Sequence, residues 1–399
     1  VALKHFSCYG MKKLFYILST IILSVNLYGQ DDTNNDLKKD FETKVLEYFQ
    51  HQNWEKKAIT RDTLYKNSLF GCDCNVSISN EPVFFDTVHV IIRNPYFSEK
   101  YDNAEEEKDY VKNFPKSYSV IYQNSLISLF ENGRFACINL DDFTRDLKLE
   151  NKLNTKKFKY HWIIGNQLGG LSGGNLYIWN GEKWIKSKGN FPLKDHPKLY
   201  DDDKFVVYGD CQGEFGGTIY FYEKATGKTF FTESTCSNTV TKTREGYNVL
   251  ANLGHMEGSC EIKVIADPRR LSLAQPNEIN EMIKGGALGY TDKSNAFKKT
   301  LDLYGVQIFS FFSYGSRELY IVNLADLTFI AEIKGNNIEI VHPLFFYDLY
   351  THNPITSRFG DYTLINLDHY GTGLDSEIPV LIIHKNKITK IDWNENHDH

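Results

Sequence analysis

The sequence lacks an excess of basic residues and has only one long apolar run. Its 399 residues include 45 Lys and Arg against 51 Asp and Glu, a formal net charge of -6. Nucleic-acid binding needs a basic surface, so this balance gives it no support. A single long apolar run excludes a multi-span membrane protein, and a hydrophobic fraction of 41% excludes a disordered chain.

The long apolar run extends from Leu14 to Val25 and has the features of an export signal. It follows Lys12 and Lys13, precedes the small residue Gly29, and is shorter than the roughly 20 residues that span a bilayer. We therefore predict an over-extended reading frame over 1–10 and a signal peptide over 11–29. The mature protein is expected to be exported, periplasmic or extracellular, with no stable membrane span after signal cleavage.

The sequence contains seven cysteines, and all but Cys8 follow the predicted signal peptide. An even number in an exported protein favours disulfides. Cys211 and Cys236 flank a predicted hairpin, so we expect them to lie opposite each other and to form a disulfide. Cys72 and Cys74 are too close in sequence to bridge comfortably, so each is expected to have a remote partner. Zinc would need a second Cys or His pair at ligand spacing, which the sequence does not show.

The distribution of apolar residues divides the mature chain into three parts. An N-terminal region over 30–116 begins with a predicted helix, because Phe41, Val45 and Phe49 recur at helical spacing. A β-rich region over 117–393 follows, in which short strands alternate with turns that contain Gly or Asn. The last residues, 394–399, form a polar tail.

Two segments of the β-rich region repeat each other. Residues 173–179 read GGNLYIW and residues 216–222 read GGTIYFY. Their spacing, roughly 40–50 residues with several strands in each unit, is typical of propeller blades. The region thus resembles β-propeller repeat proteins, which implies a mainly β fold with an irregular six- or seven-bladed propeller. A β-sandwich or another all-β arrangement is the alternative, and helical insertions are predicted within 276–304.

The sequence contains fragments of catalytic motifs, and none of them is intact. Ser172 lies in a G-x-S-x-G pattern, but a strand follows where a nucleophile elbow requires a helix. His255 and Glu257 match the first half of a deaminase signature, and the P-C-x-x-C half does not follow. We therefore assign no catalytic residue.

Polar and aromatic residues in predicted loops are the candidates for a binding site. Asp210, Glu214, His255 and Glu257 would line a polar cleft if the loops of adjacent units gather on one face. Trp162 would stack on a sugar ring if its side chain were exposed. A deep cleft with raised carboxylate pKa values would favour hydrolysis of glycosides, whereas a flat or aromatic face would favour binding of a partner.

A loop near the C-terminus is the candidate metal site. Asn366, Asp368 and Glu377 occupy positions 1, 3 and 12 of a calcium loop, and Gly371 occupies position 6. Tyr370 stands at position 5, where Asp or Asn is usual. Since the loop lies between two predicted strands, it resembles the calcium loops of FG-GAP-type propeller blades in degenerate form. That resemblance implies calcium, the alternative is a plain Gly-containing turn that binds no metal, and no other cofactor is expected.

These features predict an exported β-rich module that binds a protein or glycan partner through loops on one face, with no role in nucleic-acid binding. Two alternatives remain open. The first is a carbohydrate-active hydrolase or lyase that uses loop carboxylates, and the second is a periplasmic inhibitor or immunity-type protein that blocks another protein.

Overall fold

β-Branched and aromatic residues alternate with short turns through most of the chain, and this pattern produces antiparallel hairpins. The computed structural model describes residues 35–47, 49–50, 60–64, 72–96, 98–99, 110–111, 115–188, 196–255, 258–275, 278, 288–292, 294–324, 327–344, 349, 351–367 and 379–393. In these residues the hairpins form six sheets, each a blade whose strands we letter A to D outward from the central axis.

The first three blades follow one another along the chain. Blade 1 contains β5 (Pro115–Tyr122), β6 (Ser125–Phe130) and β7 (Phe135–Asn139). Blade 2 contains β8 (Tyr160–Ile164), β9 (Gln167–Ser172), β10 (Asn175–Trp179) and β11 (Trp184–Lys186). Blade 3 contains β12 (Lys198–Asp201), β13 (Phe205–Cys211), β14 (Gly217–Glu223) and β15 (Thr229–Glu233), with the short β19 (Ser272–Leu273) at its outer edge.

The other three blades complete the ring. Blade 4 contains β16 (Ser237–Lys242), β17 (Tyr247–Leu253), β18 (Ser259–Ile265) and β20 (Lys298–Tyr304). Blade 5 contains β21 (Gln307–Tyr314), β22 (Arg317–Leu324), β23 (Leu327–Lys334) and β24 (Asn337–Pro343). Blade 6 contains β25 (Ile355–Phe359), β26 (Tyr362–Asn366), β27 (Val380–His384) and β28 (Lys387–Asp392), and β25 contacts β5 of blade 1.

The molecule is therefore a six-bladed β-propeller, which confirms the predicted fold class and excludes the sandwich. The two segments that repeat each other in the sequence occupy equivalent positions. The first leads into β10, strand C of blade 2, and the second leads into β14, strand C of blade 3. The repeat is visible in the sequence because both turns need glycine with positive φ, at Gly173, Gly174 and Gly216.

Six buried apolar clusters hold the blades together, one at each junction between neighbours. A blade is covered on both faces, so its strands are apolar on both faces. The junction of blades 6 and 1 closes the ring, and there Leu364 and Trp393 pack with Phe130. Each junction buries aromatic or branched side chains, and burial of one such side chain contributes roughly 1.5–3 kcal/mol.

The N-terminal region wraps the outside of blades 5 and 6. Helix α1 covers 35–47, as predicted, and its Phe41 and Val45 extend the cluster between blades 4 and 5. A short helix, α2 (Arg61–Leu64), follows. Strand β1 (Asn75–Ile78) then adds in parallel to β24, and β2 (Asp86–Ile91) adds in parallel to β28. A separate ribbon pairs β3 (Ser98–Glu99) with β4 (Tyr110–Val111).

Within the described residues blade 1 has three strands, and helix α3 (Leu147–Leu153) occupies the place beside its outer strand. Asp146 caps the helix by accepting a hydrogen bond from the Leu149 N–H at 2.9 Å. Glu150 accepts a hydrogen bond from the Cys137 N–H at 3.0 Å, and Asn154 accepts one from the Phe135 N–H at 2.7 Å. Side chains thus satisfy the outer edge of β7, so that edge is not open to another strand.

Two sequence expectations about local structure are wrong. A helical insertion was expected to extend to residue 304, but 298–304 form β20, which pairs with β18. Residues 276, 277 and 279–287 lie outside the described residues. Cys72 and Cys74 pair with each other, with Cα atoms 5.3 Å apart, because the chain bends over 72–74 and brings both side chains together. No described helix is long and apolar enough to cross a bilayer.

Candidate partner-binding face

Successive antiparallel strands place the turns of every blade alternately at two opposite faces of the propeller. One face carries the turns from strand B to strand C and the connections between blades, and we name it the B–C face. The turn of blade 3 at this face is 212–216, that of blade 4 is 254–258 and that of blade 6 is 367–379. Of the predicted binding and metal residues that the structure describes, Asp210, Glu214, His255 and Asn366 therefore belong to this face or adjoin it.

Glu214 and His255 come together across the junction of blades 3 and 4. Glu214 lies in a 3-10 turn, Gly213–Phe215, and its Oε2 is 3.4 Å from His255 Nδ1. Both side chains are about half exposed, at 47% and 50%, so the pair is a surface ion pair when the imidazole is protonated. Such a pair contributes at most about 1 kcal/mol to stability, which leaves both groups available to a partner. Glu257 lies outside the described residues.

Asp210 directs its carboxylate at strand C of its own blade. It accepts hydrogen bonds from the Thr218 N–H at 2.6 Å and the Tyr220 hydroxyl at 3.1 Å. Burial raises the pKa of Asp210, and the nearby His196 opposes that rise. The His196 ring stacks on Tyr208 and Tyr220, with centroids 6.0 and 6.2 Å apart. Asp210 therefore supports the sheet from within, whereas Glu214 faces solvent, and this arrangement does not favour a two-carboxylate hydrolase.

A disulfide between Cys211 and Cys236 ties down the base of the blade 3 turn. The two Cα atoms are 4.2 Å apart. The cysteines are not opposite each other in one hairpin, as the sequence analysis assumed, because Cys211 ends strand B and Cys236 follows strand D. Gly217 of strand C lies between them, where a Cβ would be 2.7 Å from Ser234 O and 2.9 Å from Cys236 N. The bridge thus needs glycine at position 217.

Two exposed aromatic side chains stand beside the Glu214–His255 pair. Phe215 is 69% exposed and Tyr290 is 62% exposed. The Tyr290 ring lies against Gly216, where a Cβ would be 2.6 Å from Tyr290 Cε2. Phe215 and Tyr290 are therefore neighbours through Gly216, and we name Glu214, Phe215 and Tyr290 together the aromatic patch.

The sequence analysis identified neither Phe215 nor Tyr290 as a candidate binding residue. Phe215 carries a local signal, because it is a large apolar residue inside a glycine-rich turn that offers no core position. The sequence around Tyr290 carries no such signal. It belongs to the long connection 266–297 between strands C and D of blade 4, which crosses to blade 3 and adds β19 to its edge. The Gly289 N–H donates to Thr218 Oγ1 at 2.9 Å, and this hydrogen bond attaches the segment to strand C of blade 3.

The candidate calcium loop is described only at its first residue. The Asn366 side chain is buried, accepts from the Ser119 N–H at 2.7 Å and donates to the Ser119 carbonyl at 3.2 Å. This amide closes the ring between blades 6 and 1, so it does not fit the role of first ligand. Asp368 and Glu377 lie outside the described residues, and calcium binding there stays a prediction. The described residues contain no group of three or more His, Cys, Asp or Glu placed to hold a metal ion.

Trp162 does not present its ring to solvent. It is 4% exposed and packs at the junction of blades 2 and 3 with Tyr160 and Tyr208. Gly169 makes room for the indole, since a Cβ there would lie 2.8 Å from Trp162 Nε1. The tryptophan is therefore a core residue, and sugar stacking on it is not supported.

The closed ring and the loop face define the class of this protein, a six-bladed β-propeller, and comparisons of structure find other chains to which it is similar. PorZ, a surface component of the type-IX secretion system of Porphyromonas gingivalis, is similar over 69% of this chain, with 11% identity and a TM-score of 0.31. The matched part spans 32% of the PorZ chain.

Two further solved structures are similar at the same level. The WD40 repeats of RRP9 match 68% of this chain and 94% of their own, with 9% identity and a TM-score of 0.39. BamB from Moraxella catarrhalis matches 65% of this chain and 86% of its own, with 8% identity and a TM-score of 0.32. No protein-family model matches the chain, and no curated protein matches its sequence.

Proposed function

We propose that this protein is an exported binding module and that the B–C face is its contact surface for a protein partner. The observation that supports this most is the aromatic patch, two exposed rings beside an exposed carboxylate on a turn tied down by a disulfide. Exposed aromatic side chains on an ordered backbone are the residues that contribute most to protein interfaces. The apolar run at 14–25 supports export.

Blocking of another protein by this face, as in an inhibitor, is a special case of the same function. It would use the same surface, so the choice depends on what the partner does. The hydrolase alternative has less support, because Asp210 is bonded to strand C and Glu214 to His255 rather than both facing one substrate cleft.

Site-specific photo-crosslinking tests the proposal. A photoreactive amino acid replaces Phe215 on the B–C face or, as a control, Lys183 in an exposed turn of the opposite face. Both proteins are produced with the native export segment and irradiated in the producing cell. We expect a discrete protein adduct from position 215 and none from position 183. Equal adducts from both positions, or none from position 215, would overturn the proposal.

A further inference from the structure

The aromatic patch is presented by a constrained backbone. The Gln212 N–H donates to the Gly216 carbonyl at 2.9 Å, and the Phe215 N–H donates to the Gln212 carbonyl at 3.1 Å. The disulfide between Cys211 and Cys236 fixes the start of this turn. A partner that binds Phe215 therefore orders little of the turn, which keeps the entropic cost of binding low.

The segment that carries Tyr290 is constrained as well. Gly289 approaches blade 3 so closely that a Cβ would lie 2.5 Å from the Cα of Glu233. The Thr291 hydroxyl donates to the Leu288 carbonyl at 2.8 Å and closes the short 3-10 turn Leu288–Thr291. Tyr290 projects from this turn over Gly216, the residue that follows Phe215, so backbone contacts hold both turns that carry the aromatic side chains.

Carboxylates adjoin the patch in the part of the chain that the structure describes. Glu214 adjoins Phe215 in sequence, and Glu233, whose side chain is 35% exposed, adjoins Gly289. The lysine that pairs with Glu233 is Lys263, which is only 2% exposed and is also bonded to Glu261 at 2.8 Å. That lysine therefore presents no ammonium group to a partner, and the carboxylate of Glu214 remains half exposed.

A carboxylate beside two aromatic faces is complementary to a guanidinium group. An arginine side chain stacks on an aromatic ring while its planar fork donates hydrogen bonds to a carboxylate, and lysine matches only the charge. We propose that the aromatic patch binds an arginine side chain in an extended segment of the partner protein. Glu214 accepts the guanidinium hydrogen bonds and leaves His255, and the rings of Phe215 and Tyr290 hold the arginine stem and guanidinium plane. This inference rests on the proposed function of the B–C face.

Titration calorimetry of the full chain with synthetic peptides tests the inference. The probes are an eight-residue peptide of alternating Gly and Arg and matched peptides in which Lys or Glu replaces Arg. We expect binding in the order Arg, then Lys, with none for Glu. Glu214→Gln, Phe215→Ala and Tyr290→Ala should each weaken binding of the Arg peptide by about 2–5-fold, the range for an exposed cation–π contact or ion pair.

Two matched controls separate the patch from general attraction to an acidic protein. Glu245→Gln removes the same charge from an exposed turn of the opposite face, and Tyr304→Ala removes a ring that is 50% exposed elsewhere. Both should bind the Arg peptide like the unmodified protein. Equal loss in Glu245→Gln, or equal binding of the Lys and Arg peptides, would overturn the inference. An adduct from position 215 without peptide binding would leave the B–C face intact as a contact surface and reject arginine as its target.

Discussion

The carboxylate of Glu150 accepts a hydrogen bond from the backbone N–H of Cys137 at 3.0 Å, and by this contact helix α3 replaces the missing fourth strand of blade 1. The same carboxylate accepts hydrogen bonds from Arg145, including one from Nε at 2.9 Å. A buried acid is thus paired with a cation and with a strand edge at once, as a buried charge requires.

Removal of this acid should destabilise the protein. Glu150→Ala leaves the Cys137 N–H and the Arg145 guanidinium without their acceptor, so we expect the free energy of unfolding to fall by about 3–5 kcal/mol. Denaturant unfolding measures it. Glu182→Ala, at an exposed turn, is the control and should change stability by less than about 0.5 kcal/mol. A similar small effect of both substitutions would show that the edge of β7 does not depend on Glu150.

Closure of the ring should depend on Asn366. Asn366→Ala removes both hydrogen bonds to the Ser119 peptide groups, which are buried, so a loss of about 2–4 kcal/mol in unfolding free energy is expected. The exposed Asn337→Ala serves as the comparison and should be nearly neutral. Thermal melts of both variants give the answer, and unchanged melting of Asn366→Ala would mean that apolar packing alone closes the ring.

The two disulfides should differ in their contribution to stability. The bridge between Cys211 and Cys236 spans a sequence separation of 25, whereas that between Cys72 and Cys74 spans 2. In the chain-entropy model the longer loop stabilises by about 3.5 kcal/mol and the shorter by about 1.2 kcal/mol. Double alanine variants of each pair, unfolded under oxidising conditions, test this order. The reverse order would indicate that native-state contacts outweigh loop closure.

Acid should weaken the junction of blades 1 and 2 through His161. Burial lowers the pKa of this imidazole from 6.5 to about 4, although its hydrogen bond to the Ile127 carbonyl opposes the shift. The unfolded chain therefore takes up a proton more readily than the folded one. The stability contributed by the neutral ring is complete above pH 6.5 and is lost as the pH falls towards 4, by roughly 3 kcal/mol.

Unfolding free energies of His161→Gln between pH 4 and 7 test the assignment. Glutamine still donates to the Ile127 carbonyl and does not titrate, so the dependence on pH should become shallower by about one proton. Burial also lowers the pKa of His342 to about 4, so this residue should account for part of the remaining slope. An unchanged slope in His161→Gln would contradict the prediction.

The blades were predictable because their strands are local. Each hairpin follows from two short β-rich runs and a turn of few residues, and the glycines before β10 and β14 mark equivalent turns in two blades. The pairing of Cys211 with Cys236 was also inferred correctly, although for a simpler geometry than the one observed. Distant contacts were not predictable. Tyr290 reaches Gly216 only because the connection 266–297 crosses from blade 4 to blade 3, and no residue spacing encodes that path.

By itself, the sequence determined the mainly β fold, the N-terminal helix and the turns that carry Glu214 and His255, because hydrogen bonding and apolar periodicity act between residues close in the chain. Only the tertiary structure decided that there are six blades, that Trp162 is buried while Phe215 is exposed, and that Asn366 closes the ring. Those features depend on how the sheets pack around the axis, and packing is set by the sum of contacts between residues far apart in the sequence.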